Sequence, residues 1–175
     1  MNIAIDIGHA AGTGARGNGL QEHAVATAIG EHLAAAIRAA GHSAVIYDYP
    51  NLSNRADINA SIAAINNSSA DLAVSIHCDC SDNINARGAH VCYVSGTGYR
   101  IAKAVAAKLC SLLPGRAEQV SLRSDLAILT RTHPAAILCE CGFISNPADA
   151  QIQRTRPADI AAAIASGIIS YITEG

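Results

Sequence analysis

The chain has 175 residues, half of them hydrophobic but only 3% aromatic. A chain of this length forms one domain, here 1–175, and buries roughly two-thirds of its unfolded surface, so it needs no disulfide or metal staple to fold. Its 12 basic and 14 acidic residues contain no basic run, which excludes the electrostatic footprint of a nucleic-acid binder or of a protein drawn to anionic membranes.

Short β-branched runs alternate with longer alanine-rich helical ones. The first strand is predicted at 2–7 and runs through Gly8 into His9. The loop from Ala10 to Leu20 holds four glycines. It has no Gly-Lys-Ser/Thr and meets the G-x-G-x-x-G spacing only loosely at Gly12, Gly14 and Gly17, so it reads as a rim loop that lets backbone approach a groove, not as a phosphate cradle. Helical patterns follow at 22–40, opened by Glu22 and stopped by Gly41, and at 54–67, with a strand at 43–48 between them. A strand at 71–77 ends in His77. Strands at 89–95, 126–129 and 136–141 and helices at 97–113 and 157–173 complete the pattern, with Pro157 in the first turn of the last helix. The alternation predicts an α/β fold, a single domain on a largely parallel sheet flanked by helices on both faces.

The six cysteines, at 78, 80, 92, 110, 139 and 141, form no C-x-x-C pair. Most lie in apolar strand-like runs and read as buried free thiols of a reducing compartment. The first 30 residues carry Asp6, His9 and Arg16 and no signal-type apolar block. No apolar run reaches the roughly 18 residues of a membrane span. The expectation is a chain made in the cytoplasm without a signal peptide. His23, His32 and His42, on or beside the first helix, have no partner pattern and are expected to be solvated.

Glu140 is the most informative residue. It stands between apolar neighbours in 134–147, where a buried strand holds a charge only for chemistry or for a partner such as Arg123 or Arg131 upstream. In an open α/β sheet, ligands bind beyond the carboxyl ends of the strands. His9, His77 and Glu140 all fall at such ends, and Glu22 returns to the same rim at the start of the first helix. Two imidazoles and one carboxylate leave a fourth zinc position for water, the catalytic arrangement. A further carboxylate can then take a proton from that water and deliver it to a leaving amine.

The residues that carry this pattern are Gly8-His9, Gly17 to Glu22, Leu52 to Asn59 with Arg55 and Asn59, Ser75-Ile76-His77, Arg87-Gly88, and Glu140-x-Gly142-Phe-Ile-Ser-Asn-Pro147. Their order and spacing resemble the zinc-dependent N-acetylmuramoyl-L-alanine amidases of type 3, found among bacterial cell-separation and sporulation enzymes and phage endolysins. The resemblance implies a six-stranded mixed sheet flanked by helices, one zinc ion per chain held by His9, Glu22 and His77, and Glu140 as catalytic acid/base. It further implies hydrolysis of the peptidoglycan amide between the lactyl group of N-acetylmuramic acid and L-alanine. The chain departs from the family at Ala10-Ala11, where a glycine is usual, and at Cys78-Asp79, where Ala-Asn is usual. Asp79 shares a strand face with His77 by the two-residue period, and either orients a ligand or meets substrate. His133 and Arg87 are open between substrate-contact and structural roles. No long helical insertion follows Ser95, where regulated members carry a plug over the zinc, so no protein activator is expected. The lack of an export signal suits an endolysin that reaches the cell wall after release. A zinc peptidase or another amidohydrolase on the same scaffold is the alternative, though it would need a positive group for a free carboxylate.

Overall fold

The computed structural model describes residues 1–174. In chain order the elements are β1 (Asn2–Ile7), a short hairpin of β2 (Arg16–Gly17) and β3 (Leu20–Gln21), α1 (Glu22–Ala39), β4 (Ser43–Tyr47) and α2 (Asn54–Asn66). Then come β5 (Leu72–Asp79), β6 (His90–Tyr93), α3 (Gly96–Leu112), β7 (Val120–Leu122), α4 (Ala127–Arg131), β8 (Ala135–Phe143), α5 (Pro147–Thr155) and α6 (Pro157–Glu174). Six strands form one sheet in the order β4-β1-β5-β8-β6-β7. All neighbours are parallel except β6 against β8, as the α/β reading with a mixed sheet requires.

Side-chain alternation divides the sheet into two unequal faces. Ile3, Ile5 and Ile7 of β1, Val74 and Ile76 of β5, and Ile137, Cys139 and Cys141 of β8 join Ile29 and Leu33 of α1, Leu109 of α3 and Ile164 of α6 in the main core. The opposite face carries Ala4, Ala73, Ala136 and Leu138 under a thinner cover of Ile62 and Ile65 from α2 and Ile128 and Leu129 from α4. Continued by the same period, this thinly covered face carries Asp6, Ser75, His77 and Glu140 toward the carboxyl ends of their strands. Asp6 and Ser75 are buried there, whereas His77 and Glu140 are partly exposed.

Three local readings change. The run 126–129 is not a strand: Ile128 and Leu129 are buried on the helical turn of α4, and the edge partner of β6 is Val120–Leu122. A short apolar run does not distinguish the two by periodicity. Second, α5 was not anticipated, although Asn146 caps it by accepting hydrogen bonds from the Ala148 and Asp149 amides and Pro147 fills its first turn. Third, five cysteines are buried, but Cys80 is exposed just beyond β5. Burial pushes the Cys110 thiol up to about 11 and Cys92 to about 12, so these packed thiols are poor nucleophiles. The expected stop of the first helix holds: Gly41 has φ 84°, just past the Ala40 cap.

Candidate active site

His9 leaves the end of β1 with φ 65°, a left-handed conformation uncommon outside glycine. Glu22 is the first residue of α1 and is 3% exposed. Its Oε2 lies 3.3 Å from His9 Nε2, and its Oε1 lies 3.0 Å from His77 Nδ1. The three residues each offer one donor atom, and these atoms fall within 4.8 Å of one another. Two backbone donors fix the carboxylate: Cys78 N–H donates to Oε1 at 3.0 Å and Ala15 N–H to Oε2 at 2.7 Å. Glycine makes room for the rings. A Cβ on Gly8 would stand 2.4 Å from the His77 ring, and one on Gly14 2.8 Å from Glu22 Oε2 and 2.9 Å from His9. The glycine-rich loop is thus a close-approach device at this cluster, in line with its reading as a rim loop.

Glu22 dominates the electrostatics of the three. Burial alone would raise the Glu22 carboxyl, but hydrogen bonds from His77 and His9 outweigh it and hold the group far below the usual carboxylate range. The bond to Glu22 raises His9 against burial. His77 is also raised: burial would lower it, but Glu22, Glu140 and Asp6 together prevail.

Glu140 is paired in register with His77 on one side and His90 on the other, so the three side chains form a row across β5, β8 and β6. Burial raises the Glu140 carboxyl to about 7, and its Oε2 is buried without a hydrogen-bond partner. Neither upstream arginine takes it. Arg123 binds Asp125 through two hydrogen bonds, and Arg131 donates to Asn59. Asp79 accepts a hydrogen bond from Arg116 at 2.8 Å and lies 3.3 Å from His90 Nδ1. It therefore organises the rim beyond Glu140, and among the described residues it joins no metal-ligand set. Burial, with Arg116 and Arg123 nearby, lowers His90 to about 4, so its ring is neutral at neutral pH.

Other expectations sort by position. Arg87 stays at this rim, 3.5 Å from the buried Asp149. His133 precedes β8 and lies at the opposite end of the sheet, where its N–H donates to Asn66, so it is no part of this cluster. His23 is not solvated: its Nε2 pairs with Asp48 at 3.0 Å. Sequence reasoning also missed two residues in the first turn of α2. Asn54 Oδ1 lies 3.0 Å from His9 Nδ1, which orients the ring with Nε2 toward Glu22. Asp57 is buried beside them. Both lie in the segment Leu52 to Asn59 that carries the family resemblance, but an Asn and an Asp just after the Ser53 cap are what any helix start could produce.

Known proteins share this fold. The uncharacterized protein YqiI of Bacillus subtilis is 30% identical over 97% of this chain and 84% of its own length. The catalytic domain of the CD27L endolysin, which targets Clostridia difficile, superposes with a TM-score of 0.89 at 26% identity, covering 97% of each chain. The CwlD amidase from Clostridioides difficile, solved in complex with the GerS lipoprotein, shares the fold with a TM-score of 0.86 at 24% identity over 99% of each chain. The family model described as N-acetylmuramoyl-L-alanine amidase matches residues 3–170, and the chain belongs to that family.

Proposed function

We propose that this enzyme is a zinc-dependent amidase that cuts the bond between the lactyl group of N-acetylmuramic acid and the L-alanine of the peptidoglycan stem peptide. The observation that carries the reading is the convergence of three donor atoms within 4.8 Å beside the half-buried Glu140, whose Oε2 has no hydrogen-bond partner. The donor set fits zinc: two imidazoles and one carboxylate, with His9 oriented from behind by Asn54. One zinc ion per chain would be held by His9, Glu22 and His77. When bound, it supplies Lewis acidity that polarises the amide carbonyl and acidifies water. Glu140 is poised for the proton work. Near pH 7 it exists in both forms, so its carboxylate takes a proton from the attacking water and returns it to the nitrogen of the departing alanine.

The likeness to the CD27L catalytic domain supports an endolysin-type role, with action on the cell wall after release. Among the described residues, no helix is long and apolar enough to cross a membrane. Only Val94 and Ser95 separate β6 from α3, which supports an open groove that works without a protein activator.

The test is metal content together with product chemistry. The purified protein should bind one zinc per chain and release new L-alanine amino termini from cell walls, and His77→Ala should lose both. A full equivalent of zinc in His77→Ala overturns the ligand set. New amino termini other than alanine would favour a peptidase.

A further inference from the structure

The proton and metal chemistry leaves one buried acid without a task. Asp57 is 3% exposed, and its Oδ1 makes no hydrogen bond. It lines a pocket of about 190 Å³ whose other walls include Asp6, Gly8, Ile58 and the two site histidines, His9 and His77. The neighbouring acid is accounted for, since Asp6 accepts the Ser75 hydroxyl at 2.6 Å. Asp57 has no such partner. A carboxylate in a first helical turn is favoured by the helix dipole, but that benefit needs no burial, whereas an unpaired buried acceptor destabilises the fold. Keeping one at the edge of the metal cluster makes sense if a ligand completes it.

The sheet order says which part of the substrate arrives there. From His77 on β5, Glu140 lies one strand away on β8, while the pocket lies on the other side, between β1 and α2. Glu140 protonates the leaving amine, so the peptide departs on the β8 side and the acyl portion, with its sugar, occupies the β1 side. Among the described residues, only His9, Glu22 and His77 bring three metal-type donors together, so the pocket suits a neutral donor group better than a second metal ion. We infer that Asp57 is a specificity-determining residue whose carboxylate accepts a hydrogen bond from a hydroxyl or amide N–H on the saccharide side of the substrate. This rests on the amidase reading.

The experiment uses the zinc-loaded protein and the variants Asp57→Ala and Asp57→Asn. With Asp57→Ala, KM for a soluble muramoyl-peptide should rise about tenfold, the scale of one lost hydrogen bond. The inhibition constant of free N-acetylmuramic acid should rise by the same factor. Asp57→Asn, which keeps an acceptor oxygen, should lose less. Both variants should hold one zinc, and Asp57→Ala should melt at or above the wild-type temperature, because its orphaned acceptor is gone. Wild-type KM and inhibition constant in Asp57→Ala overturn the inference. So does a lowered melting temperature or lost zinc, either of which would make Asp57 structural. A wild-type protein that releases no L-alanine termini instead defeats the amidase reading itself, and the inference with it.

Discussion

Glu140 combines cost and use in one side chain. Burial lifts its carboxyl to about 7, which suits general acid/base work at neutral pH but opposes folding once the group ionises. A carboxyl raised in the fold stabilises the native state while protonated. That contribution is complete below the ordinary value of 4.5 and is lost as pH rises through 7. Glu140→Gln is uncharged throughout. In chelator-stripped protein its melting temperature should therefore gain on wild type as pH rises from 4.5 to 7 and hold that advantage above. In the zinc-loaded enzyme the same variant should keep its metal and lose at least about a hundredfold in kcat. A melting difference that does not change with pH would deny the burial cost, and an active variant would leave the reaction without its proton carrier.

At the level of elements, the thick side of the sheet depends on close helix contacts. A Cβ on Gly167 of α6 would stand 2.4 Å from Val105 Cα and 2.7 Å from Val105 N of α3, which are backbone atoms that cannot turn aside. A Cβ on Gly30 of α1 would stand 2.3 Å from the Ile7 δ-methyl, the movable end of a side chain. Alanine gains about 1 kcal/mol of helix propensity over glycine at either position. Overpacking costs about 1–3 kcal/mol where nothing can yield. Gly167→Ala should thus lower the melting temperature by several degrees, at roughly 2–4 °C per kcal/mol for a domain of this size, while Gly30→Ala should stay within about 2 °C of wild type. Thermal melts of the two variants side by side decide this. Equal effects would mean that α3 and α6 can separate as readily as Ile7 can change rotamer.

The whole molecule carries a net charge of −2 and no basic run, so little long-range attraction draws it to a polyanionic wall. The proposal of an activator-free groove then has a consequence in solution. The protein alone should hydrolyse soluble muramoyl-peptides and act weakly on whole sacculi, and cell extract should leave the soluble rate unchanged. Strong stimulation of the soluble reaction by an extract protein would show that an inhibitory element covers the site.

The ends of the strands were readable from residue order because a polar ligand type that closes an apolar run must sit at the sheet's rim. That logic placed His9, His77 and Glu140 on one edge, and Glu22 followed from its position at a helix start. The parallel topology came from the alternation of short and long apolar patterns, which is a local property of the chain. Where periodicity was too short to discriminate, as at 126–129, the choice between strand and helical turn fell to packing against β8. Only the tertiary structure selected the supporting cast. Asn54 meets His9 across 45 residues of sequence, and Arg116 meets Asp79 across 37. Neither pair carries a local signal, because a side chain's partner across the groove is set by how α2 and the loop before β7 lie on the sheet. The same holds for Asp57, an ordinary first-turn acid by sequence, which only the fold buries beside two histidines with one oxygen left free.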